Sequence, residues 1–577
     1  MYSNSITYYI TLLLLICFVK AQDFSPGPYG INYFDVAAPF TIQDLGVRQS
    51  GDLDGDRLIN LKDILLYTSY LDEEITFSEE DLIYLDINED GYVDIIDLII
   101  AIDKIFNFSP VLWSFEESWV GGESYILVPS STLWQQNVKS ELIENSPLNV
   151  HYIFLSNLDS NYEDMLNLKS EFDIILNQLE PDLKNHWLTH LHYSAQKISE
   201  YDDWLSQGLA NRQALGINQF QLLQEIGSLA NPDGFVGNYL HYLAHEALFY
   251  DYEWNALNED MSTYDEITVF EREHYTGGWA STISQLVEFP NQEELDNYSR
   301  MSIELLRGCP DANGNYSDQG CDDYDRIARM FICDEDESNC HEAARWITPF
   351  DRQPHHLTDI SPFISMLKPG GNKIVKFQES GWPNSLLTMR FRFYHDQETA
   401  DTPQQFEPMW VGTIPFNPDF DDNTPPVVFN VPDDATKVEF VSYITGHGWG
   451  SNGTYNCAEF CNSKHIFTVN GGVYEFDTSY PEAGDQDYCM EPNTIVQGVK
   501  PNQYGTWGYG RAGWCPGQDV HPMITDITEY VSIGDDNVMQ YSACRESWNG
   551  CVAPPVCPPN DCYCPEIAVS SYIIIWR

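Results

Sequence analysis

Three short segments of the chain bring carboxylates, guanidinium groups and cysteines together. Residues 321–326 read Cys-Asp-Asp-Tyr-Asp-Arg, residues 457–461 read Cys-Ala-Glu-Phe-Cys, and residues 510–517 read Gly-Arg-Ala-Gly-Trp-Cys-Pro-Gly. A carboxylate beside a fixed arginine and a bridged loop is held in one orientation, as general acid–base catalysis requires. A single aspartate would be weak support, because most of the 88 acidic residues must be solvated surface charges. The hypothesis of a catalytic site therefore depends on these segments meeting in one crevice.

The length and charge of the chain limit what it can be. Its 577 residues suggest several domains, and 28 basic against 88 acidic residues give a formal net charge of −60. That charge argues against nucleic acids and anionic membranes as partners, because both would repel the protein. It suits calcium-binding loops and uncharged or basic substrates. An aromatic content of 14% is too high for a disordered chain.

The N-terminus predicts where the protein works. Residues 10–19 are almost entirely apolar and are followed by Lys-Ala-Gln, which is typical of a cleaved secretory signal over residues 1–21. The run is too short for a transmembrane helix, and no later stretch is apolar enough to insert into a membrane. We therefore expect a secreted, extracellular protein.

The cysteines should then form disulfides. Short separations along the sequence favour four pairs: Cys309–Cys321, Cys333–Cys340, Cys457–Cys461 and Cys489–Cys515. An odd set remains, consisting of Cys544, Cys551, Cys557, Cys562 and Cys564. One of these five should be free or intermolecular, and a zinc site at residues 562–564 is the less favoured alternative.

Two calcium-loop patterns follow residues 22–48, which we interpret as a linker. Oxygen ligands are expected at loop positions 1, 3, 5, 9 and 12, with a backbone carbonyl at position 7. The first loop supplies Asp52, Asp54, Asp56, Leu58, Asn60 and Asp63, and the second supplies Asp86, Asn88, Asp90, Tyr92, Asp94 and Asp97. Position 12 is Asp rather than the usual Glu, and one apolar helical stretch follows each loop.

This repeat of loop and single helix resembles a dockerin module over residues 49–106. The resemblance implies two structural calcium ions and a cohesin domain as partner. A calcium-stapled spacer without a partner is the alternative. Because the clustered carboxylates repel each other without calcium, the module should melt on chelation.

Residues 110–262 are predicted to form an α/β middle domain of unknown role. Strands are expected at 125–128 and 150–155, and helices at 133–144, 162–179, 219–229 and 239–250. The order is similar to a thioredoxin-type fold, but the segment contains no cysteine, which excludes redox chemistry there. It does contain His151, His186, His190, His192, His241 and His245. Since the His-Glu-x-x-His pattern of zincins is absent, we expect core or surface histidines rather than a metal site.

From residue 267 the pattern changes to short alternating strands separated by Gly, Asn and Pro turns. Clear strands are predicted at 269–275, 373–378, 388–394, 437–443 and 570–576. No long helix is expected between them. Two antiparallel sandwiches, residues 267–400 and 401–577, fit this length better than one.

Seven blocks of this last region, in order, resemble the peptide-N-glycosidase F family of secreted amidases, which remove N-linked glycans. The blocks are residues 309–310, 321–326, 346–350, 377–382, 444–448, 457–461 and 511–517. The resemblance implies two eight-stranded jelly-roll sandwiches side by side, with the active site in the groove between them. It also implies N-glycosylated proteins or glycopeptides as substrates and no cofactor for catalysis.

The resemblance assigns a role to each matching residue. Asp325 would carry the reaction, with Glu379 and Glu459 as supporting carboxylates. Substrate contacts would come from Asp322, Arg326, Trp382 and Arg511, and from His447 and Trp449. Residues 446–449 read Gly-His-Gly-Trp where the family reads Gly-Trp-Gly-His. We expect this exchange to alter how core sugars or peptide are gripped and to leave the acid–base set intact.

Other functions remain open from the sequence. A glycan-binding relative without turnover would keep the groove and lose the chemistry. A glycoside hydrolase would also use paired carboxylates. A copper monooxygenase on a related fold would need clustered His and Met ligands, which are sparse here.

Overall fold

The computed structural model describes most of the chain. The described residues are 23–46, 48–54, 59–106, 111–129, 139–156, 162–210, 212, 214–224, 226, 240–310, 316–317, 321–380, 384–395, 401–451, 453–502 and 506–577. The predicted signal peptide lies outside them. They form two compact units that divide between Ile226 and Gly227. No helix within the described ranges has the length and apolarity needed to cross a membrane.

The first unit contains a mixed set of strands and helices. Its strands are β1 (Thr41–Gln43), β2 (Leu112–Ser114), β3 (Ser124–Pro129), β4 (Val150–Leu155), β5 (Leu191–Ser194), β6 (Leu215–Ile217) and β7 (Leu223–Gln224). Its helices are α1 (Leu61–Leu71), α2 (Glu79–Leu85), α3 (Ile95–Phe106), α4 (Phe115–Ser118), α5 (Lys139–Asn145), α6 (Tyr162–Leu176), α7 (Pro181–His190) and α8 (Asp203–Leu209), with a 3-10 turn at Ile198–Glu200.

Helices α1, α2 and α3 form the calcium-loop module around a small core. Leu53, Tyr67, Leu85 and Leu98 are buried against one another there. Helix α1 starts directly after the first loop, because Asn60 caps it by accepting the backbone N–H of Lys62. Helix α3 follows the second loop in the same way along the chain.

The rest of the unit is an α/β layer, as predicted. Its sheet has the order β5-β4-β3-β6-β7. Strands β3, β4 and β5 are parallel, whereas β6 and β7 are antiparallel to their neighbours. Every residue of β3 and β4 is buried, as expected for parallel strands covered on both faces.

The predicted linker is wrong for residues 37–43. Strand β1 pairs with β2, and Ala37, Phe40 and Ile42 lie in the same core as Phe115 and Tyr125. This stretch carries enough apolar surface to be buried, so it belongs to the domain. The sequence interpretation gave too much weight to its position before the calcium loops.

The predicted helix at 219–229 is also wrong. The Asn218 side-chain oxygen accepts the backbone N–H groups of Phe220 and Leu222, which closes a tight turn between β6 and β7. An Asn that bonds its own downstream backbone in this way favours a turn over a helix. Residues 227–229 lie outside the described residues.

The second unit begins with a helix predicted for the middle domain. Helix α9 (His241–Leu257) covers the predicted helix at 239–250, so the predicted middle domain, 110–262, extends past the division between the units. Strands follow: β8 (Tyr264–Tyr275), β9 (Ser281–Phe289), β10 (Arg300–Pro310), β11 (Tyr316–Ser317), β12 (Ile327–Cys333), β13 (His341–Ile347), β14 (His355–Asp359), β15 (Gly371–Glu379) and β16 (Ser385–Tyr394). Short helices are α10 (Gln292–Leu295), α11 (Ile364–Leu367) and a 3-10 turn at Ser361–Phe363.

These strands form the first predicted sandwich. One sheet has the order β14-β10-β16-β8, with β11 paired to the end of β10, and the other has the order β13-β12-β15-β9. Strand β12 alternates between buried and half-buried residues, as a strand with one face on a core does. Met330, Phe377, Met389 and Phe391 are fully buried in the shared core.

A second sandwich follows. Its strands are β17 (Pro403–Pro415), β18 (Val427–Asn430), β19 (Lys437–His447), β20 (Ser463–Val469), β21 (Tyr474–Ser479), β22 (Met523–Asp526), β23 (Asp536–Ser547), β24 (Gly550–Val552) and β25 (Glu566–Trp576). The sheets have the orders β17-β25-β19-β22 and β18-β23-β20-β21, with β24 paired to β23. Short helices are α12 (Phe420–Asn423), α13 (Pro492–Ile495) and 3-10 turns at Tyr488–Met490 and Thr528–Tyr530.

The two sandwiches share an apolar interface. The core of the first continues into Val441, Tyr443, Tyr572 and Ile574 of the second. Arg345 crosses this interface, donating to the Thr445 hydroxyl at 2.8 Å and to the Ala568 carbonyl at 2.9 Å. These contacts fix β13 of one sandwich against β19 and β25 of the other.

The four predicted disulfides are confirmed. Cys309–Cys321, Cys333–Cys340, Cys457–Cys461 and Cys489–Cys515 are all bridged. The odd set resolves into Cys544–Cys551 and Cys557–Cys564, which leaves Cys562 as an exposed thiol.

Candidate active site

The acidic segment 321–326 lies just before β12 and is fixed at both ends. Its first residue is bridged to Cys309 at the end of β10. The buried carboxylate of Asp322 accepts the backbone N–H of Tyr324 at 2.9 Å and the Arg326 Nε–H at 3.1 Å. These bonds close the segment into a turn that points Asp325 toward the second sandwich, where its Oδ2 atom meets Arg511.

Arg511 joins the carboxylates of two sequence-distant segments. Its Nη2 atom lies 3.5 Å from Asp325 Oδ2, and its Nε atom lies 3.8 Å from Glu459 Oε1. The guanidinium is almost fully buried and donates to the carbonyls of Thr506 and Tyr509 at 2.6 and 2.5 Å. Because these bonds hold it in place, Arg511 positions the two carboxylates rather than reaching out to substrate.

Burial shifts the proton affinity of both carboxylates upward. It raises the pKa of Asp325, which Arg511 and Arg326 oppose. Burial, with the nearby charge of Asp325, raises the pKa of Glu459 to about 8. The Gly448 N–H donates to Glu459 Oε2 at 3.2 Å. Near neutral pH, Glu459 therefore holds a proton, as a group able to act as a general acid does.

Glu379 forms a separate and tighter pair. It ends β15 with no exposed surface, and its Oε2 atom lies 2.6 Å from the Nε atom of buried Arg307. Burial raises the pKa of Glu379, Arg307 lowers it, and Asp322 raises it further, which brings this pair within electrostatic range of the acidic segment. Arg307 was not predicted from the sequence, although a cation that follows Leu305 and Leu306 and lies two residues before Cys309 is a usable signal.

The exchanged residues His447 and Trp449 have different surroundings. The Nε2 atom of His447 is 2.7 Å from the Thr445 hydroxyl, and its ring stacks on Trp514, which also lies beneath Arg511. Burial holds the pKa of His447 well below its usual value. Trp449 is 41% exposed and stacks on Tyr563 with ring centroids 4.4 Å apart.

The predicted site residues therefore separate into groups. The structure brings Asp322, Asp325, Arg326, Glu379 and Glu459 together around two buried arginines, Arg307 and Arg511. His447 is one aromatic ring removed from this set, and Trp449 is accessible at its edge. Trp382 lies outside the described residues.

The calcium loops are a second candidate site, in the first unit. Carboxylate oxygens of Asp52, Asp54 and Asp63 lie within 4.8 Å of one another, which suits a hard cation. Asp63 accepts the N–H groups of Leu53 and Asp54. Asp56 and Leu58 lie outside the described residues.

The second loop repeats this arrangement around Asp97. Its carboxylate accepts the N–H groups of Ile87 and Asn88 at 2.8 and 3.3 Å, and that of Asp94 at 2.9 Å. Asp63 and Asp97 are both fully buried. The two loops thus use their final Asp in the same way, which fits a pair of calcium ligand sets.

Comparison with known proteins gives relatives for both regions. Residues 415–573 match the family model described as Peptide-N-glycosidase F, C terminal, and residues 50–105 match Dockerin type I domain. The peptide-N(4)-(N-acetyl-beta-D-glucosaminyl)asparagine amidase F of Elizabethkingia miricola is 23% identical over 314 residues, or 51% of this chain and 81% of the relative. Both resemblances predicted from the sequence are confirmed by these matches.

Solved structures were also found that match about half of the chain. PNGase F from Flavobacterium meningosepticum is 19% identical, with a TM-score of 0.41, over 54% of this chain and 95% of that one. PNGF-II is 14% identical, also with a TM-score of 0.41, over 55% of this chain and 65% of that one.

Proposed function

We propose that this chain is a secreted peptide-N-glycosidase. It hydrolyses the amide that joins an asparagine side chain to N-acetylglucosamine in N-glycoproteins, releasing the glycan and leaving aspartate. The observation that carries the proposal is the sharing of buried Arg511 by Asp325 and Glu459, at 3.5 and 3.8 Å. The relative from E. miricola bears the name of this activity, and its similarity adds support.

The chemistry needs a base for water and a proton for the leaving nitrogen. Asp325 accepts a proton from a water molecule as the oxygen of that water attacks the amide carbon. Glu459, which holds a proton because its pKa is about 8, donates to the nitrogen as the C–N bond breaks. The products are a peptide carboxylate and a glycosylamine, which later loses ammonia to water.

The remaining groups position these two. Arg511 limits how far the pKa of either carboxylate rises, because its positive charge favours both ionised forms. Asp322 and Arg326 hold the turn that carries Asp325 and form the wall for the innermost sugar. Trp382, His447 and Trp449 complete the proposed substrate contacts.

The accessory parts fit the same setting. The dockerin-type module binds two structural calcium ions, one per loop, and docks to a cohesin-type scaffold outside the cell. Catalysis itself uses no metal or organic cofactor. The two sandwiches adopt the jelly-roll topology of the family.

The test is incubation of the protein with a denatured N-glycoprotein, followed by mass spectrometry of the peptides. Aspartate at the former glycosylation site supports the amidase. A residual sugar on the asparagine would indicate a glycoside hydrolase instead. An unmodified glycan with retained glycopeptide binding would identify a glycan-binding relative, and either of the last two outcomes refutes the proposal.

A further inference from the structure

A cluster of imidazoles and carboxylates lies in the α/β domain of the first unit, apart from the calcium loops. Glu123 precedes β3, His151 lies in β4, and His190 ends α7 just before β5. These parallel strands begin at the same edge of the sheet, which is why the three side chains meet. One ligand atom from each lies within 4.8 Å of the others.

A chain of short contacts links the cluster to Asp44. His192 Nδ1 lies 2.8 Å from Asp44 Oδ2, and its Nε2 lies 3.0 Å from His151 Nδ1. His151 Nε2 then lies 3.0 Å from Glu123 Oε2. A cation on the Nε2 atom of His151 leaves one hydrogen for each of the other two contacts, from His151 Nδ1 to His192 and from His192 Nδ1 to Asp44.

His190 adds a second contact of the same kind. Its Nδ1 atom lies 2.8 Å from the carbonyl of His186, which can only accept, so the hydrogen of a neutral His190 is on Nδ1. Its Nε2 atom faces Glu123 Oε1, 3.8 Å away. A cation bound between Glu123, His151 and His190 would satisfy both contacts.

The donor atoms indicate which cation. Two imidazole nitrogens and one carboxylate favour zinc and related transition metals over calcium, which prefers oxygen alone. Zinc–ligand distances of about 2.0–2.2 Å place tetrahedral donors roughly 3.3 Å apart, and the contacts at 3.0 and 3.8 Å bracket that spacing. Neighbouring groups orient the two imidazoles, as hydrogen-bond partners of metal ligands usually do. Asp44 acts on His151 through His192, and the His186 carbonyl holds His190.

We propose that Glu123, His151 and His190 form a binding site for a zinc-class divalent cation, with a fourth position open. The side chains of Glu123 and His190 are 22% and 14% exposed, so an ion reaches the site from solvent. This proposal departs from the expectation from sequence that these histidines are core or surface residues without a metal. The absence of a His-Glu-x-x-His pattern gave no information about this site, because its three ligands come from separate elements.

The test is a zinc titration of the full chain by calorimetry, in saturating calcium and with Cys562→Ser as the parent. Calcium fills the acidic loops, and the substitution removes the exposed thiol as a competing ligand. We expect about one zinc per chain. Glu123→Gln and His190→Gln should each weaken binding at least about 10-fold, since loss of even an outer partner typically costs 10–100-fold.

His395→Gln is the matched control, because it removes an imidazole 2.9 Å from a carboxylate at an exposed pair. It should bind zinc as the parent does. Zinc should also raise the unfolding temperature of the parent and the control but not of the two ligand variants. Absence of zinc binding in the parent, or equal binding by parent and ligand variants, overturns the proposal.

Discussion

The two buried arginines of the candidate active site, Arg307 and Arg511, hold their carboxylates differently. Arg307 faces one partner, Glu379, at 2.6 Å, with both side chains closed off from solvent. Arg511 is shared by Asp325 and Glu459 at longer distances of 3.5 and 3.8 Å. One cation per carboxylate makes a closed pair, whereas one cation for two carboxylates leaves negative charge without compensation. Burial, together with the nearby charge of Asp325, raises the pKa of Glu459, so it takes up a proton near neutral pH.

Replacing Asp325 should give the largest loss of activity. Asp325→Asn removes the base while keeping nearly the same shape, so kcat/KM on a glycopeptide should fall about 10²–10⁴-fold. Asp323→Asn is the matched control, because it neutralises an exposed carboxylate two residues away. Near-normal turnover by Asp325→Asn, with the fold intact, would falsify the assignment of the Arg511 set as reactive.

Glu459 should control the alkaline side of the pH profile. Because its pKa is about 8, wild-type kcat should decline above that pH as the proton on Glu459 is lost. Glu459→Gln cannot donate in the same way, so its activity should be about 10²-fold lower and lack that decline. A wild-type profile that stays level through pH 8 would assign the proton to another group.

The proton on Glu459 should also make the free energy of unfolding depend on pH. The folded pKa of Glu459 is raised from 4.5 to about 8, so between these values the folded protein binds more protons than the unfolded chain. The free energy of unfolding should therefore fall as pH rises through this window, by about 1 kcal/mol per pH unit at most. Urea unfolding of Glu459→Gln should show a shallower slope than wild type. Parallel slopes would contradict the raised pKa.

The closed pair should respond as a structural unit. Arg307→Met leaves Glu379 buried without its cation and should lower the free energy of unfolding by about 3–5 kcal/mol. The double variant Arg307→Met, Glu379→Met should regain most of that loss, because no charge is left unpaired. Chemical denaturation of the single and double variants measures this. A double variant as unstable as Arg307→Met would mean that packing, not charge, sets the cost.

Calcium removal should have the smallest effect on activity. The loop carboxylates are balanced by a cation from solution, so chelation should unfold residues 49–106. Limited proteolysis would detect the unfolding, and turnover of a glycopeptide should stay within about twofold because Asp325 and Glu459 lie in the other unit. Loss of turnover in parallel with unfolding would mean that the two units are not independent.

Local patterns predicted the strands and loops well, since their causes lie within a few residues. The strands predicted at 388–394 and 570–576 correspond to β16 and β25, and short separations predicted the four disulfides. The helix at 219–229 failed because Asn218 makes a turn that competes with the helix. The prediction of a linker at residues 37–43 failed because the residues that pair with this stretch lie beyond the calcium loops in the sequence.

The site was predicted in part for the same reason. The acidic blocks carry their own signal, and the family resemblance placed Asp325, Glu379 and Glu459 in one set. The pairing of Arg307 with Glu379 depends on β10 and β15 lying in facing sheets, which no local pattern contains. Likewise, Glu123, His151 and His190 are brought together only by the parallel order of the sheet.

Strand β25 has a consequence for how the second sandwich forms. It lies between β17 and β19, with Trp576 opposite both Pro403 and Lys437. Until β25 has emerged, β17 and β19 each present an open edge, and the sheet cannot close. Before β25 is made, the two open edges can therefore pair with any stray extended segment.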